Sequence, residues 1–306
     1  MPAASLRALL TEAIDYAGLF PPANLELEPA LRNYAEYVRG SDAWMLGTFI
    51  LPVAQFDAAM RGISQFEEKH PLRVSALGPR TDNGGAFLPS LAAAMDSIAS
   101  FRAACGGAAS VGQFEMPLPS EVNAELLQAI PSRTDFQSAT FWEAPIKSAE
   151  HVIGLIAEKN RNSPGRNKLG FKLRTGGVKA DAFPTSAGIA AALMAGGNQQ
   201  VPIKFTAGLH HPVRVFHESV QTRMHGFLNV LGAGVLALEH QWKETEIIRM
   251  LDDEDPVSFS FTDDFFAWRD WEIPTAKIPA RRGLVTSLGS CSFDEPRDDL
   301  RALKLL

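Results

Sequence analysis

Two strand-like, largely apolar runs of the sequence each carry a lysine near their centre. Lys172 lies in the run 168–177, and Lys204 lies in the run 201–212. Lysine is depleted in strands, and a strand covered on both faces rarely carries an unpaired charge. Each run is followed by small residues and then by sequence of helical type, which predicts two neighbouring strands of a parallel sheet or barrel. The sequence therefore predicts two amines in one pocket.

A pair of neighbouring lysines has a specific chemical use. An amine must be neutral to act as a nucleophile, although the ordinary pKa of a lysine is about 10.4. Burial and a second cation nearby both lower that pKa. One lysine can then form a Schiff base with a carbonyl compound while the other keeps it deprotonated. A carboxylate such as Glu115 or Asp15, acting through a water molecule, could move the proton that carbon–carbon cleavage or condensation requires.

The elements that must position these lysines follow a regular alternation of strand and helix. Strands are predicted around Asp15 and at 43–52, 72–77, 109–116, 135–143, 169–174, 202–206 and 226–230. Sequence of helical type lies between them, which predicts parallel strands with right-handed crossovers. Eight such units predict an α/β fold of the (β/α)8 TIM-barrel type as a single domain. The barrel is expected to span roughly 13–251, with a C-terminal extension over roughly 252–306.

An open, doubly wound sheet is the alternative architecture. Neither a Gly-x-Gly-x-x-Gly segment after the first strand nor a Gly-x-x-x-x-Gly-Lys-[Ser/Thr] segment occurs, which disfavours that alternative.

Polar residues stand where the predicted strands end, at the rim that carries the chemistry in barrels of this type. Taken singly, each has a structural explanation; Lys172 and Glu143, for example, could form a salt bridge inside the barrel. Burying charge is costly, however, and function is the usual reason for a set of such residues. The set consists of Asp15, Glu115, Glu143, Lys172, Arg174, Lys204, His210, His211 and Asn229.

Three short segments resemble class I aldolases of the deoxyribose-phosphate aldolase type. Lys172-Leu-Arg-Thr175-Gly176 is similar to the family's Lys-x-x-Thr-Gly motif, and Lys204-Phe-Thr206-Ala-Gly208-Leu209 is similar to its Lys-x-Ser-x-Gly-Ile motif. Ile14-Asp15-Tyr16-Ala-Gly-Leu19 resembles the family's opening Ile-Asp-His-Thr-Leu-Leu segment. The resemblance implies a cofactor-free carbon–carbon lyase in which Lys172 forms the imine and Lys204 lowers its pKa. Asp15 and Glu115 would then handle protons.

The sequence also departs from that family where a phosphate would bind. The loop after the seventh strand reads Gly208-Leu-His210-His211-Pro212-Val-Arg214, and the predicted eighth strand lacks a Gly-Thr-Ser-Ser segment. Arginines and histidines suit a carboxylate, so a small carboxylated or polyhydroxylated carbonyl compound is the expected substrate. The expected substrate-binding residues are Arg174, Thr175, Gly176, Thr206, His210, His211, Glu143 and Asn229.

Two other functions are consistent with the same residues. Glu115, Glu143, His210 and His211 could hold a divalent metal ion in a metal-dependent lyase or hydrolase. Adjacent histidines in a strand point to opposite faces, so this site needs a loop, for which Pro212 is suited. The second alternative is a barrel that binds a ligand without catalysis.

Composition excludes several classes of partner. The 306 residues carry a net charge of −6, which gives no basic surface for nucleic acid or anionic membranes. The two cysteines cannot form a disulfide framework, and no apolar run reaches the ~18 residues that a membrane span needs. The N-terminus has no signal-peptide pattern. A cytoplasmic protein with a small-molecule substrate is expected, in the form of a homo-oligomer.

Overall fold

Eight parallel strands close into a barrel in the computed structural model, which describes residues 1–130, 139–163 and 168–306. The described strands are β1 (Ile14–Tyr16), β2 (Leu46–Pro52), β3 (Leu72–Leu77), β4 (Ala109–Pro117), β5 (Ala139–Glu143), β6 (Leu169–Arg174), β7 (Ile203–Thr206), β8 (Val215–His217), β9 (Thr222–Met224), β10 (Phe259–Phe261), β11 (Phe265–Trp268), β12 (Trp271–Pro274) and β13 (Val285–Ser290). The order around the barrel is β1-β13-β7-β6-β5-β4-β3-β2. The predicted (β/α)8 fold is confirmed.

Helices alternate with the barrel strands and cover their outer face. They are α1 (Ala4–Leu10), α2 (Leu27–Tyr37), α3 (Phe56–Met60), α4 (Gly84–Cys105), α5 (Ala124–Ala129), α6 (Ala149–Arg161), α7 (Ser186–Gln199), α8 (Phe227–His240), α9 (Glu244–Leu251), α10 (Ile278–Arg282) and α11 (Asp294–Ala302). Asn83, Asn123 and Thr185 cap α4, α5 and α7 by accepting a hydrogen bond from the first helical turn. No described helix is long and apolar enough to cross a membrane.

The barrel strands are buried on both faces, which explains their continuous apolar sequence. Six of the seven residues of β2 are buried, as are the last four of β4. One face packs against the helical layer, and the other fills the barrel interior. Polar side chains inside this core, among them Asp15, Glu115 and Lys204, have no access to solvent. These side chains must therefore find their hydrogen-bond and ion-pair partners among one another.

The eighth strand of the barrel is not where the sequence predicted it. Residues 226–230 begin α8, whereas β13 pairs with β1 and β7 and closes the barrel. Ten of the fourteen residues of α8 are buried, so its sequence is apolar all round and lacks the period of a surface helix. The barrel therefore runs from residue 14 to residue 290. The segment 252–306, expected as an extension, contains the closing strand.

Two small antiparallel sheets interrupt the alternation. Strands β8 and β9 form a hairpin between β7 and α8, where sequence of helical type was expected. Strands β10, β11 and β12 form a second sheet between α9 and β13. Its Trp268 is buried against Trp242, at 5.7 Å between ring centroids. The predicted strand 135–143 is confirmed over Ala139–Glu143, and its first residues lie outside the described part of the chain.

Candidate active site

The two lysines lie side by side inside the barrel. Lys172 on β6 and Lys204 on β7 are register partners, and β5 places Glu143 beside Lys172 in the same way. Lys204 is fully buried, and Lys172 is 4% exposed. Because register partners on parallel strands point to the same face, both amines lie in the barrel interior. The prediction that they are neighbours is confirmed.

Lys204 is held by four polar side chains from other strands of the barrel, three of which are fully buried. Its Nζ lies 2.7 Å from Asp15 Oδ2, 2.5 Å from Glu115 Oε1 and 2.5 Å from Gln113 Oε1. Ser75 also donates a hydrogen bond to Glu115 Oε1. These partners fix the position of this buried amine.

Asp15 is fixed as firmly as the lysine that it contacts. Its Oδ1 accepts hydrogen bonds from the backbone N–H of Thr48 at 2.6 Å and from the Thr48 hydroxyl at 2.7 Å. Its Oδ2 accepts one from the Ser287 hydroxyl at 2.6 Å. Gly47 leaves the space for this carboxylate, because a Cβ there would overlap Oδ1. Asp15 therefore faces Lys204 within the core and does not line the cavity described below.

Lys172 lies between two carboxylates. Its Nζ is 2.8 Å from Glu115 Oε2 and 2.9 Å from Glu143 Oε2. Glu115 contacts both lysines, one with each oxygen. A continuous chain of opposite charges thus runs from Asp15 through Lys204 and Glu115 to Lys172 and Glu143.

This chain of charges shifts the pKa values of Glu115, Glu143 and Lys172. Burial alone would raise the pKa of Glu115 and Glu143, but the neighbouring cations, above all Lys172, lower both below their usual range. Burial alone would lower the pKa of Lys172, but Glu115 and Glu143 raise it above its ordinary value. The expectation that a second lysine depresses the pKa of Lys172 is therefore wrong. Glu115 stands between the two amines and reverses the effect.

A cavity of about 560 Å³ opens above Lys172 at the carboxyl ends of the strands. Lys172 and Glu143 line it, whereas Lys204, Glu115 and Asp15 lie beneath its floor. The basic residues that line it are Arg80, Lys172, Arg174, Lys179 and His210, against the acidic Glu143 and Asp181. The cavity therefore carries an excess of positive charge within a protein of net charge −6. Such a lining favours an anionic ligand.

The loops that follow β6 and β7 form one wall of this cavity. Gly176 and Gly208 approach so closely that a Cβ at Gly176 would lie 2.7 Å from the Cα of Gly208, which itself has φ of +77°. Thr175 donates a hydrogen bond of 2.6 Å from its Oγ1 to the Ala207 carbonyl and ties the loops together. Thr175 is buried and therefore holds the loops in place, whereas Thr206 lines the cavity.

Five of the eight predicted binding residues line the cavity, and three do not. Arg174, Gly176, Thr206, His210 and Glu143 line it. Thr175 has the structural role just described, and His211 does not line the cavity but pairs through Nδ1 with Asp299 Oδ2 at 2.7 Å. Asn229 lies in α8, where its side chain bonds to the backbone of Arg214, Met250 and Asp253. The misplaced eighth strand accounts for the error at Asn229.

Several residues of the site were not predicted. Arg80 lies beyond β3, 4.0 Å from Glu143 Oε1, and Cys291 lines the cavity beyond β13. The carboxyl end of β13 reads Gly289-Ser290-Cys291-Ser292. The eighth strand was expected at 226–230, but those residues begin α8. The comparison with a Gly-Thr-Ser-Ser segment was therefore made on residues that do not form the closing strand.

The four residues suggested as metal ligands do not converge. Glu115 and Glu143 hold Lys172, His210 contacts Glu295, and His211 contacts Asp299. Within residues 1–130, 139–163 and 168–306, no group of three or more His, Cys, Asp or Glu side chains is arranged to hold a metal ion.

No model of a known protein family matches the sequence, and no curated protein matches it either. The TIM-barrel fold is compatible with an enzyme, and the carboxyl-terminal rim is where enzymes of this fold carry their chemistry.

Proposed function

We propose that the protein is a carbon–carbon lyase of the class I aldolase type, in which Lys172 forms a Schiff base with a small carbonyl compound that carries a carboxylate. The position of Lys172 carries the proposal. Its amine lies at the floor of a cationic cavity, between two carboxylates, with a second lysine at the register-partner position. A lysine that only stabilised the barrel would have no need to reach a ligand-sized cavity.

The first chemical step requires Lys172 to lose its proton, because its raised pKa keeps it charged at neutral pH. Glu143 accepts that proton in this proposal, since it lies 2.9 Å from Nζ and also lines the cavity. The neutral amine then adds to the carbonyl carbon, and one of its protons passes to the oxygen to give a carbinolamine. The oxygen takes a second proton from an acid and leaves as water. The product is an iminium ion on Lys172.

The iminium ion provides the electron sink for cleavage. The bond between the α carbon, which neighbours the iminium carbon, and the hydroxyl-bearing β carbon breaks. Its electron pair forms a carbon–carbon double bond to the former iminium carbon, the carbon–nitrogen π pair moves to nitrogen, and an enamine forms. The hydroxyl on the departing fragment gives its proton to a base and becomes an aldehyde. Glu143 serves again as that base after its first proton has passed to solvent. Protonation of the enamine carbon and addition of water release the second product and restore Lys172.

The charge of the cavity supports a carboxylated substrate. Arg174 and Arg80 lie 3.4 Å and 4.0 Å from Glu143 Oε1, and both side chains are more than half exposed. These contacts leave most of their N–H groups available. A guanidinium can receive a carboxylate with two parallel hydrogen bonds.

One observation favours a barrel that binds a ligand without catalysis. Both lysines are paired with carboxylates at salt-bridge distance. Burial lowers the pKa of Lys172, but Glu115 and Glu143 more than offset this effect and raise the pKa above its ordinary value. A structural ion-pair network has the same properties.

Reductive trapping separates the two functions. The protein is incubated with pyruvate, glyoxylate or acetaldehyde in the presence of borohydride, and the adduct is located by peptide mass mapping. We expect one adduct, on Lys172, which is absent in Lys172→Arg and present in Lys147→Met, a change at an exposed lysine. Lys172→Arg keeps the charge beside Glu115 and Glu143, so its loss of trapping is not a loss of folding. Pyruvate that raises the melting temperature without forming an adduct on Lys172 would establish the non-catalytic function instead.

A further inference from the structure

His210 lines the cavity from the loop after β7 and is held by only one of its two ring nitrogens. Its Nδ1 lies 3.2 Å from Glu295 Oε2, in the first turn of α11, and 3.7 Å from Cys291 Sγ. Its Nε2 makes no hydrogen bond to the rest of the described chain. The side chain is 11% exposed and shares the cavity with Lys172. One nitrogen therefore orients the ring, and the other is available to a ligand.

The surroundings of His210 decide its charge. Burial alone would lower its pKa, but hydrogen bonds to Cys291 and Glu295 raise that pKa to about 9. His210 is therefore an imidazolium at neutral pH, with a proton on both nitrogens. Cys291 and Glu295 contact His210 directly. The other titratable or charged groups around it are His211 with its partner Asp299, His217, and the cavity-lining Lys172 and Arg174.

Glu143, the two arginines and Lys172 are poorly suited to donate a proton in this step. The pKa of Glu143 is lowered, so its carboxyl is ionised at neutral pH. Arginine side chains keep their protons in proteins. Lys172 is the nucleophile and must give up its own proton before it reacts. His210 lines the cavity while Glu295 holds its Nδ1, the arrangement in which a carboxylate orients a histidine for acid–base work.

We propose that His210, held by Glu295, is the acid that protonates the departing oxygen when Lys172 forms its imine; this role rests on the lyase function proposed above. In that step the carbon–oxygen bond of the carbinolamine breaks and its electron pair goes to oxygen. His210 Nε2 supplies the proton, and water leaves. The lone pair of the Lys172 nitrogen forms the carbon–nitrogen double bond. His210 recovers its proton from solvent, and Glu295 acts as a positioning residue through Nδ1.

The acid role is tested by the rate of trapping, because a catalyst changes the rate of imine formation and leaves its equilibrium extent unaltered. Wild type, His210→Asn and Glu295→Gln are mixed with pyruvate, quenched with borohydride at increasing times and analysed for the Lys172 adduct. We expect His210→Asn to slow adduct formation about 100-fold or more at pH 7, with the same final yield. Glu295→Asp should retain most of the wild-type rate.

A histidine pair of the same kind provides the matched control. His70 Nδ1 lies 3.1 Å from Glu67 Oε1, outside the cavity, so His70→Asn should leave the trapping rate unchanged. In parallel, NMR titration of the histidine ring signals follows His210 directly, without any substrate. In Glu295→Gln its midpoint should fall from about 9 toward the ordinary value of 6.5, and the pH above which the trapping rate no longer increases should move down with it.

The outcomes separate the two proposals. A wild type that forms no adduct on Lys172 with any of the three carbonyl compounds refutes the lyase itself. A wild-type adduct that His210→Asn forms at an equal rate refutes only the acid role of His210. An unchanged His210 titration midpoint in Glu295→Gln refutes the positioning role of Glu295.

Discussion

Replacing Lys204 by methionine tests the central claim that buried charges hold the floor of the site. The change keeps a similar length and removes the ammonium group that contacts both Asp15 and Glu115. Both carboxylates are fully buried. Glu115 keeps its contact with Lys172, whereas Asp15 keeps only its hydrogen bonds to Thr48 and Ser287.

The expected loss is large because one partner of a buried pair is removed while the other stays. Such changes cost about 3–5 kcal/mol, a substantial part of the 5–15 kcal/mol that typically separates folded from unfolded states. Replacing Asp15 as well, in Lys204→Met/Asp15→Asn, should restore part of the loss, since removing both partners leaves fewer uncompensated groups. Lys147→Met, at an exposed position, should change stability by less than about 0.5 kcal/mol.

Urea denaturation of the three variants and the wild type, at several pH values, gives the measurement. In the wild type the pKa of Glu115 is lower in the folded protein than its value of 4.5 in the unfolded chain. The ionised carboxylate therefore contributes stability above pH 4.5, and this stability is lost as the pH falls through the pKa of the folded state. In Lys204→Met one of the two cations that lower this pKa is gone, so Glu115 takes up a proton at higher pH and relieves the buried charge. The difference in stability between wild type and variant should therefore shrink from pH 8 to pH 5.

Two results would refute this reasoning. The first is a free energy of unfolding for Lys204→Met within about 1 kcal/mol of the wild type at pH 8. The second is a loss of equal size at pH 8 and pH 5, which would mean that packing at Lys204, and not the unpaired carboxylates, sets the cost.

Three further predictions concern the pH dependence, the space and the scaffold of the site. Because the pKa of Lys172 is raised, the rate of reductive trapping should increase about tenfold per pH unit between pH 7 and 8, measured by adduct mass, and a rate independent of pH would contradict it. Gly47→Ala places a Cβ against Asp15 and should cost about 1–3 kcal/mol in urea denaturation, whereas Gly154→Ala, in α6 with open space around it, should be neutral or stabilising. Asn229→Ala should lower the free energy of unfolding by about 2–4 kcal/mol, through the buried backbone groups that it leaves unpaired, and yet retain trapping on Lys172 in the folded protein.

The sequence alone determined the fold class and the juxtaposition of the two lysines. Alternation of apolar runs and helical sequence predicts parallel strands with crossovers, and consecutive parallel strands in such a fold are neighbours. Lys172 and Lys204 stand at equivalent points of consecutive runs, so their pairing across β6 and β7 follows from local pattern. The same reasoning failed for the last strand, because a helix that is buried all round has no period by which to recognise it.

Only the tertiary structure decided the charge of Lys172, the carboxylate that lines the cavity and the partners of His210. Ionisation depends on distances of a few ångströms, and the groups within that range of the lysines come from β1, β3, β4 and β5. Glu115 and Glu143 are alike in sequence, yet only Glu143 lines the cavity. Cys291 and Glu295 lie more than 80 residues from His210 along the chain and reach it because β13 closes the barrel. Strand pattern is local and can be read in order, whereas the electrostatics of a barrel interior arise from all of its strands at once.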